Sequence, residues 1–195
     1  EKYWLPVDFY VGGAEHATRH LIYARFWHKF LFDIGVVSHE EPFKKLQHVG
    51  LIMGEDGRKM SKRWGNVINP DDIVDKFGAD SLRVYEMFMS PFSEPCAWST
   101  NGLVGARKFL DRITNIKLGT ASDGGSLRSL LHKTIKKVGG DIESFKFNTA
   151  IAQMMIFVNA VYEAKDELGV AHLDSENFAN FSKILAPFAL HLAEE

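Results

Sequence analysis

GEDGRKMSKRWGN, residues 54–66, is the stretch on which the reading of this 195-residue chain turns. Arg58, Lys59, Lys62 and Arg63 put four positive charges within six residues, and Gly54, Gly57 and Gly65 punctuate the run. Glycines free the backbone, and mobile cations stabilise charge that develops during phosphoryl-type displacement. The pattern therefore fits a loop that closes on phosphate, with Met60 as an apolar anchor between the two lysines. The competing reading is an exposed basic turn.

Outward from the loop, the first hundred residues read as mixed α/β. LQHVGLIMG (46–54) predicts a strand and Glu55-Asp56-Gly57 a tight turn. Asn69-Pro70-Asp71-Asp72 predicts a helix start, because Asn caps, Pro fits the first turn and acids suit the positive end of the dipole. Asp80 starts a further helix through about Met89. Upstream, Val7, Phe9 and Val11 alternate as in a short strand that Gly12-Gly13 breaks. Apolar residues from Glu15 to about Ile34 recur at helical spacing, and Gly35 is a natural stop. Beyond Pro91 and Pro95 only helical periods appear, starting near Gly102. Four helices are expected there, with a Ser/Gly-rich loop at 122–126 after the first and Asn148 or Thr149 capping the third. Trp98 sits at the border as a packing hinge. The layout is an α/β piece, residues 1–100, followed by an all-α bundle, 101–195.

Composition narrows the function classes. Hydrophobic residues make up 46% and charged residues 25%, which is globular and not disordered. The single cysteine, Cys96, excludes an internal disulfide framework and a cysteine-rich zinc site, and suggests a reducing, cytoplasmic setting. No apolar run approaches the roughly 18 residues of a membrane helix. The start EKYWLPVDFY has neither the basic nor the apolar region of a signal peptide, and both ends stop in mid pattern, so a fragment of a longer protein is expected. Net charge is −2, but residues 107–137 carry +6 and 138–195 carry −6. A basic ridge that includes Lys133, Lys136 and Lys137 either faces a polyanion or solvates two helices.

GGAEH (12–16) is the second chemical signal. Two glycines after a strand let a ligand approach the backbone, a following helix offers unpaired N–H groups, and Glu15 can accept from ribose hydroxyls or simply answer the dipole. His16 and His20 lie four apart on one helix face. They can be packing residues, a metal pair as in a metal-dependent hydrolase, or the lining of a substrate pocket. No third ligand follows, so no metal site is expected.

KMSKR, followed by WGNVINPDDIV and FGADSLRVYEMF, resembles the KMSKS signature region of class I aminoacyl-tRNA synthetases. YVGGAEHATRHLIYARFWHK, SPFSEPCAWSTNGLVGARKFLDRI, FNTAIAQMMIFVNAVYEAK and LAPFALHLAEE are similar to leucyl-tRNA synthetases of bacterial type. The resemblance implies the second half of a Rossmann-type catalytic domain with its signature loop, then part of an anticodon-binding-type bundle. The first Rossmann half with its HIGH-type motif, the editing domain and the C-terminal extension are not in this sequence.

The resemblance further implies ATP with Mg2+, leucine and tRNA(Leu) as partners, and no membrane. Lys59 and Lys62 would be catalytic. Gly12, Gly13, Glu15, Met60, Ser61 and Lys62 would border ATP or the adenylate, and His16 and His20 the leucine side chain. Lys133, Lys136 and Lys137 would meet tRNA. The fragment alone would be inactive. One departure stands out: Arg63 occupies the place of the signature's final Ser. A non-catalytic tRNA-binding module, using the basic ridge and no nucleotide, is the alternative, with the hydrolase behind it.

Overall fold

A computed structural model describes residues 2–119, 125–165 and 169–195. The chain divides into two compact units, Glu1–Ile52 with Ser93–Pro95, and Met53–Phe92 with Cys96–Glu195. In the first, strand β1 (Tyr10–Gly13) leads through a 3-10 turn (Ala14–Thr18) into helix α1 (His20–Asp33), and the chain returns as strand β2 (Leu46–Val49). β1 and β2 pair in parallel, Tyr10 opposite Leu46 through Gly13 opposite Val49. This strand–helix–strand crossover is the unit of a Rossmann-type sheet. Glu41 ties the return segment to α1: hydrogen bonds from Arg25 (2.6 and 2.8 Å), reinforced by Lys29, hold its carboxyl down at about 2.

Three local expectations are corrected here. Gly12 and Gly13 do not break the strand; they are its last two residues, held in the ladder opposite His48 and Val49. The α-helix begins at His20 and not near Glu15, because Thr18 Oγ1 donates to Glu15 O (3.2 Å) and favours a 3-10 turn, and Arg19 is not helical (φ −129°, ψ −101°). LQHVGLIMG is two strands. Gly50 separates them, packed so tightly on the Glu94–Pro95 backbone that a Cβ would lie 2.9 Å from Pro95 N. Gly35 does end α1, with φ +73°.

The second unit holds the buried apolar core of the described residues, from Val84 to Ala189. Strand β3 (Ile52–Met53) pairs with β4 (Cys96–Ala97). Helices α2 (Pro70–Phe77) and α3 (Ala79–Phe88) follow the signature loop. Asn69 caps α2 as expected, its side chain accepting from Asp71 N (3.2 Å). The bundle comprises α4 (Thr100–Thr114), α5 (Ser126–Glu143), α6 (Phe147–Glu163), α7 (Ser175–Leu185) and α8 (Leu190–Glu194). Leu103, Leu131, Ile151, Met154, Phe157 and Phe181 are at or near zero exposure. Each such side chain contributes about 1.5–3 kcal/mol relative to exposure.

A short parallel pair, β5 (Lys117–Leu118) with β6 (His172–Leu173), had no signal in the sequence. The expected final helix is two, because Pro187 interrupts it and Arg83 from α3 takes the freed Pro187 carbonyl (2.8 Å). Residues 122–124 of the Ser/Gly-rich loop, and 166–168 after α6, lie outside the described residues. Among the described residues, no helix is long and apolar enough to cross a membrane.

α6 starts from Lys146, not from a cap at Asn148 or Thr149. Thr149 Oγ1 instead donates to Asp141 (2.6 Å), whose two oxygens also receive Lys137 Nζ (2.6 Å each). Asp141 is 5% exposed. Burial alone would raise its carboxyl, but the bonds from Lys137 and Thr149 outweigh it and hold the group below the usual range. A depressed folded value contributes stability that is present above the unfolded value, near 3.9, and lost as pH falls through the folded one. Asp141→Asn should therefore cost about 1–3 kcal/mol at pH 7. In thermal unfolding, the gap between variant and parent should close as pH falls below about 4.

Candidate functional site

The signature loop hangs from a hairpin. Met53 and Lys59 form an antiparallel bridge, Gly54 N donates to Arg58 O (2.9 Å), and Gly57 N donates to Gly54 O (2.9 Å) with φ +72° at Gly57. The tight turn read at Glu55-Asp56-Gly57 is thus present. Ser61, in extended conformation, caps a 3-10 turn over Lys62–Trp64 by accepting from Arg63 N (3.3 Å), and Gly65 closes that turn at φ +65°. The hydroxyl of Ser61 therefore serves the loop's own backbone.

The four cations differ in what they touch. Arg58 is bound to Asp56 through Nε (2.8 Å) and a terminal nitrogen (2.8 Å). Arg58 and Arg63 both lie over the Trp64 ring, 5.0 and 5.1 Å from its centre. Lys59 and Lys62 are exposed and have no carboxylate within ion-pair distance among the described residues. Met60 and Ser61 are half-buried. The arrangement is a fixed backbone turn carrying two uncommitted ammonium groups, which is suited to meeting an anion.

Glu55 and Trp98 anchor the hairpin to the bundle. Glu55 Oε1 accepts from Thr100 Oγ1 (2.7 Å) and Thr100 N (3.3 Å) in the first turn of α4, and Trp98 N donates to Met53 O (2.9 Å). Trp98 itself is 5% exposed, edge-on to Tyr85 at 4.9 Å, in keeping with a packing residue.

In the first unit, Gly12, Gly13, Glu15, His16 and His20 gather around the C-terminal end of β1. Ligands of parallel sheets bind at that end of the strands. Tyr10 organises the group, although sequence reasoning missed it because its strand position signalled only alternation. Its hydroxyl meets His20 Nδ1 at 2.8 Å, its ring stacks on His20 at 5.4 Å, and His16 stands edge-on to it at 6.5 Å. The two imidazoles are 6.4 Å apart in centre, so the shared face survives the 3-10 turn. His16 Nδ1 is buried without a hydrogen-bond partner. A Cβ at Gly13 would lie 2.7 Å from Glu15 Cδ, so the Glu15 carboxylate folds back over the space that glycine leaves open.

A cavity of about 450 Å3 in this unit is lined by Tyr10, Leu21, Ile22, Arg25, Phe43 and Leu46; neither histidine lines it. A second cavity of about 510 Å3, between α3, α4 and α8, includes no residue of 54–66. Among the described residues no three His, Cys, Asp or Glu side chains gather as a metal would require.

On α5, Lys133, Lys136 and Lys137 are all exposed. Lys137 is tied to Asp141, whereas Lys133 and Lys136 carry no such pair among the described residues.

Residues 2–99 match the family model described as tRNA synthetases class I (I, L, M and V), and residues 126–195 match that of the anticodon-binding domain of tRNA ligase. The chain is similar to a LeuRS of Agrobacterium radiobacter, solved as a ternary complex with tRNA and LeuAMS. Identity is 34%, the TM-score is 0.82, and the match covers 97% of this chain and 27% of that one. Two structures of methionyl-tRNA synthetase of Mycobacterium tuberculosis bound to methionyl-adenylate share the fold, at 15 and 16% identity with TM-scores of 0.70 and 0.71. They cover 99% of this chain and 44% of theirs. The chain thus spans about a quarter of the length of the LeuRS that it matches. With its signature loop, parallel crossover and helical bundle, the chain belongs to the class I tRNA synthetases of the I, L, M and V group.

Proposed function

We propose that this chain is the part of a leucyl-tRNA synthetase that supplies the phosphate-facing loop for leucine activation and part of the tRNA-binding bundle. The observation that carries the reading is the fixed turn with Lys59 and Lys62 uncommitted at its surface. The 34% identity with a LeuRS across nearly the whole chain supports leucine over the other members of the group. Residues 1–100 would be the C-terminal half of the catalytic domain, and 101–195 part of the anticodon-binding bundle.

In the reaction, the leucine carboxylate attacks the α-phosphorus of ATP, the bond to the bridging oxygen breaks, and pyrophosphate leaves with the electron pair. A terminal ribose hydroxyl of tRNA(Leu) then attacks the leucyl carbonyl of the adenylate and loses its proton, the bond from that carbonyl to the phosphate oxygen breaks, and AMP leaves with the electron pair. Charge accumulates on the α-phosphate and the leaving pyrophosphate, where Lys59 and Lys62 stabilise it. Mg2+ arrives with ATP as part of the substrate. Met60 and Ser61 shape the loop. In the first unit, Gly12, Gly13 and Glu15 would border the adenosine, and His16 and His20, oriented by Tyr10, the leucine side chain. The setting is cytoplasmic.

The exposed apolar side chains of α1 support a larger parent protein. Ile22, Tyr23, Phe26 and Trp27 are 55–69% exposed on one helix, a patch that a monomeric surface seldom leaves bare. The first Rossmann half, and with it the editing domain, would cover this face.

Two outcomes are expected. This chain alone, lacking the rest of the site, gives no leucine-dependent exchange of pyrophosphate into ATP above background. In the complete protein, Lys62→Ala lowers the exchange rate roughly a hundredfold to a thousandfold. The Michaelis constant for leucine hardly moves, because the cation acts in the transition state. An unchanged rate with a raised Michaelis constant contradicts the assignment.

For the bundle, Lys133→Ala with Lys136→Ala is the informative pair, since Lys137 also serves Asp141. If both meet phosphate, the slope of log tRNA affinity against log salt becomes shallower by about 0.9 per contact, the duplex DNA value. An unaltered slope returns these lysines to ordinary surface.

A further inference from the structure

The side chain of Asn66 reaches three separate points of the signature loop. Its Oδ1 accepts from Ser61 N (2.9 Å), and its Nδ2 donates to Asp56 Oδ1 (3.1 Å) and to Lys59 O (3.4 Å). The backbone groups on either side of Met60 are therefore pinned by one planar amide, at the residues that carry or adjoin the two free lysines. Asp56 completes the clamp by accepting from Arg58 N (3.0 Å) and Arg58 Nε (2.8 Å). Gly54 makes room for it: a Cβ there would lie 2.8 Å from Asn66 Nδ2, 2.8 Å from Asp56 Oδ1 and 3.1 Å from Asn66 Cβ. Buried Gly54, half-buried Asn66 and exposed Asp56 thus form one interlocked unit beside the exposed cations.

We infer that Asn66 is the positioning residue of the loop, holding Lys59 and Lys62 where they meet the phosphates, with Asp56 as its counterpart. The inference rests on the reading of the loop as the activating element. The chemistry demands an amide, because one group must accept at Ser61 and donate at Asp56 and Lys59. An aspartate can do only the first, and beside Asp56 it adds like-charge repulsion. Preorganised backbone beneath mobile charge is the economical arrangement for a transition-state contact, since the lysines need no backbone rearrangement to engage.

The test uses the complete protein with Asn66→Asp, with Asp56→Asn, and with both changes together. The double variant exchanges amide and carboxylate across the same contact and restores one donor and one acceptor. Arg58, Lys59, Lys62 and Arg63 are trypsin targets, so cleavage within 58–63 reports the order of the loop without any catalysis. Asn66→Asp should speed that cleavage and lower the turnover of leucine-dependent pyrophosphate exchange, each by about tenfold or more, the effect of losing a hydrogen bond to a charged group. The Michaelis constant for leucine should stay within about twofold, because ground-state binding is untouched. The double variant should recover both properties in large part. Cleavage as slow in Asn66→Asp as in the parent overturns the clamp, as does a double variant no better than the single. Faster cleavage with unchanged turnover overturns the positioning role. If the parent lacks leucine activation while the double variant still restores protection, the clamp stands and the leucine reading fails.

Discussion

The junction of Tyr85, Trp98 and Met53 carries the rest of the second unit. Tyr85 is 2% exposed, stands edge-on to Trp98, and its hydroxyl oxygen accepts from Ser99 N at 2.6 Å. Burial raises its phenol further above the ordinary range, against the opposing Ser99 bond, so it stays neutral. The ring also requires Gly102, where a Cβ would lie 2.8 Å from Tyr85 Cε2. Through this packing the first turn of α4 is seated on α3, and through Trp98 N and Glu55 the same turn grips the base of the loop hairpin. The loop is therefore mounted on the bundle's core, and its cations project from a rigid base. That is the condition for a charged contact to be worth several times its value on a flexible surface.

The two units meet opposite physical demands. The second encloses a core of Leu, Met and Phe side chains from four helices and is closed by ordinary burial. The first is ordered by polar ties, the Arg25–Glu41 pair, Lys44 to Asp8 (2.7 Å) and the β1–β2 ladder, while Tyr23, Phe26, Trp27 and Phe30 of α1 are exposed. The backbone geometry of the first unit is thus set locally by polar contacts, while a large apolar area, unusual for a monomeric surface, stays exposed.

The sequence made the loop legible because charge and glycine punctuate it densely, and the helices of the bundle because apolar residues repeat over several turns. Asn69 as cap of α2 and Gly35 as stop of α1 followed from local chemistry alone. What escaped was set by contacts distant along the chain. Gly50 divides a continuous apolar run because Glu94 and Pro95 press on it. Thr149 looked like a cap but is engaged by Asp141, eight residues away. Tyr10 and Asn66 lie within the quoted stretches but are neither charged nor glycine, yet each organises the residues that gave those stretches their signal. The families of charged and glycine residues thus name the candidate site, and the neutral hydrogen-bonding side chains between them build it.

The central claim is that this loop and this unit serve leucine. The direct measurement is exchange of labelled pyrophosphate into ATP by the complete protein, with leucine, isoleucine, valine and methionine compared at matched concentrations. The account predicts that leucine gives a kcat/KM at least about tenfold above each of the others, the discrimination a shaped apolar pocket supplies. Exchange supported equally or better by isoleucine, valine or methionine would contradict it.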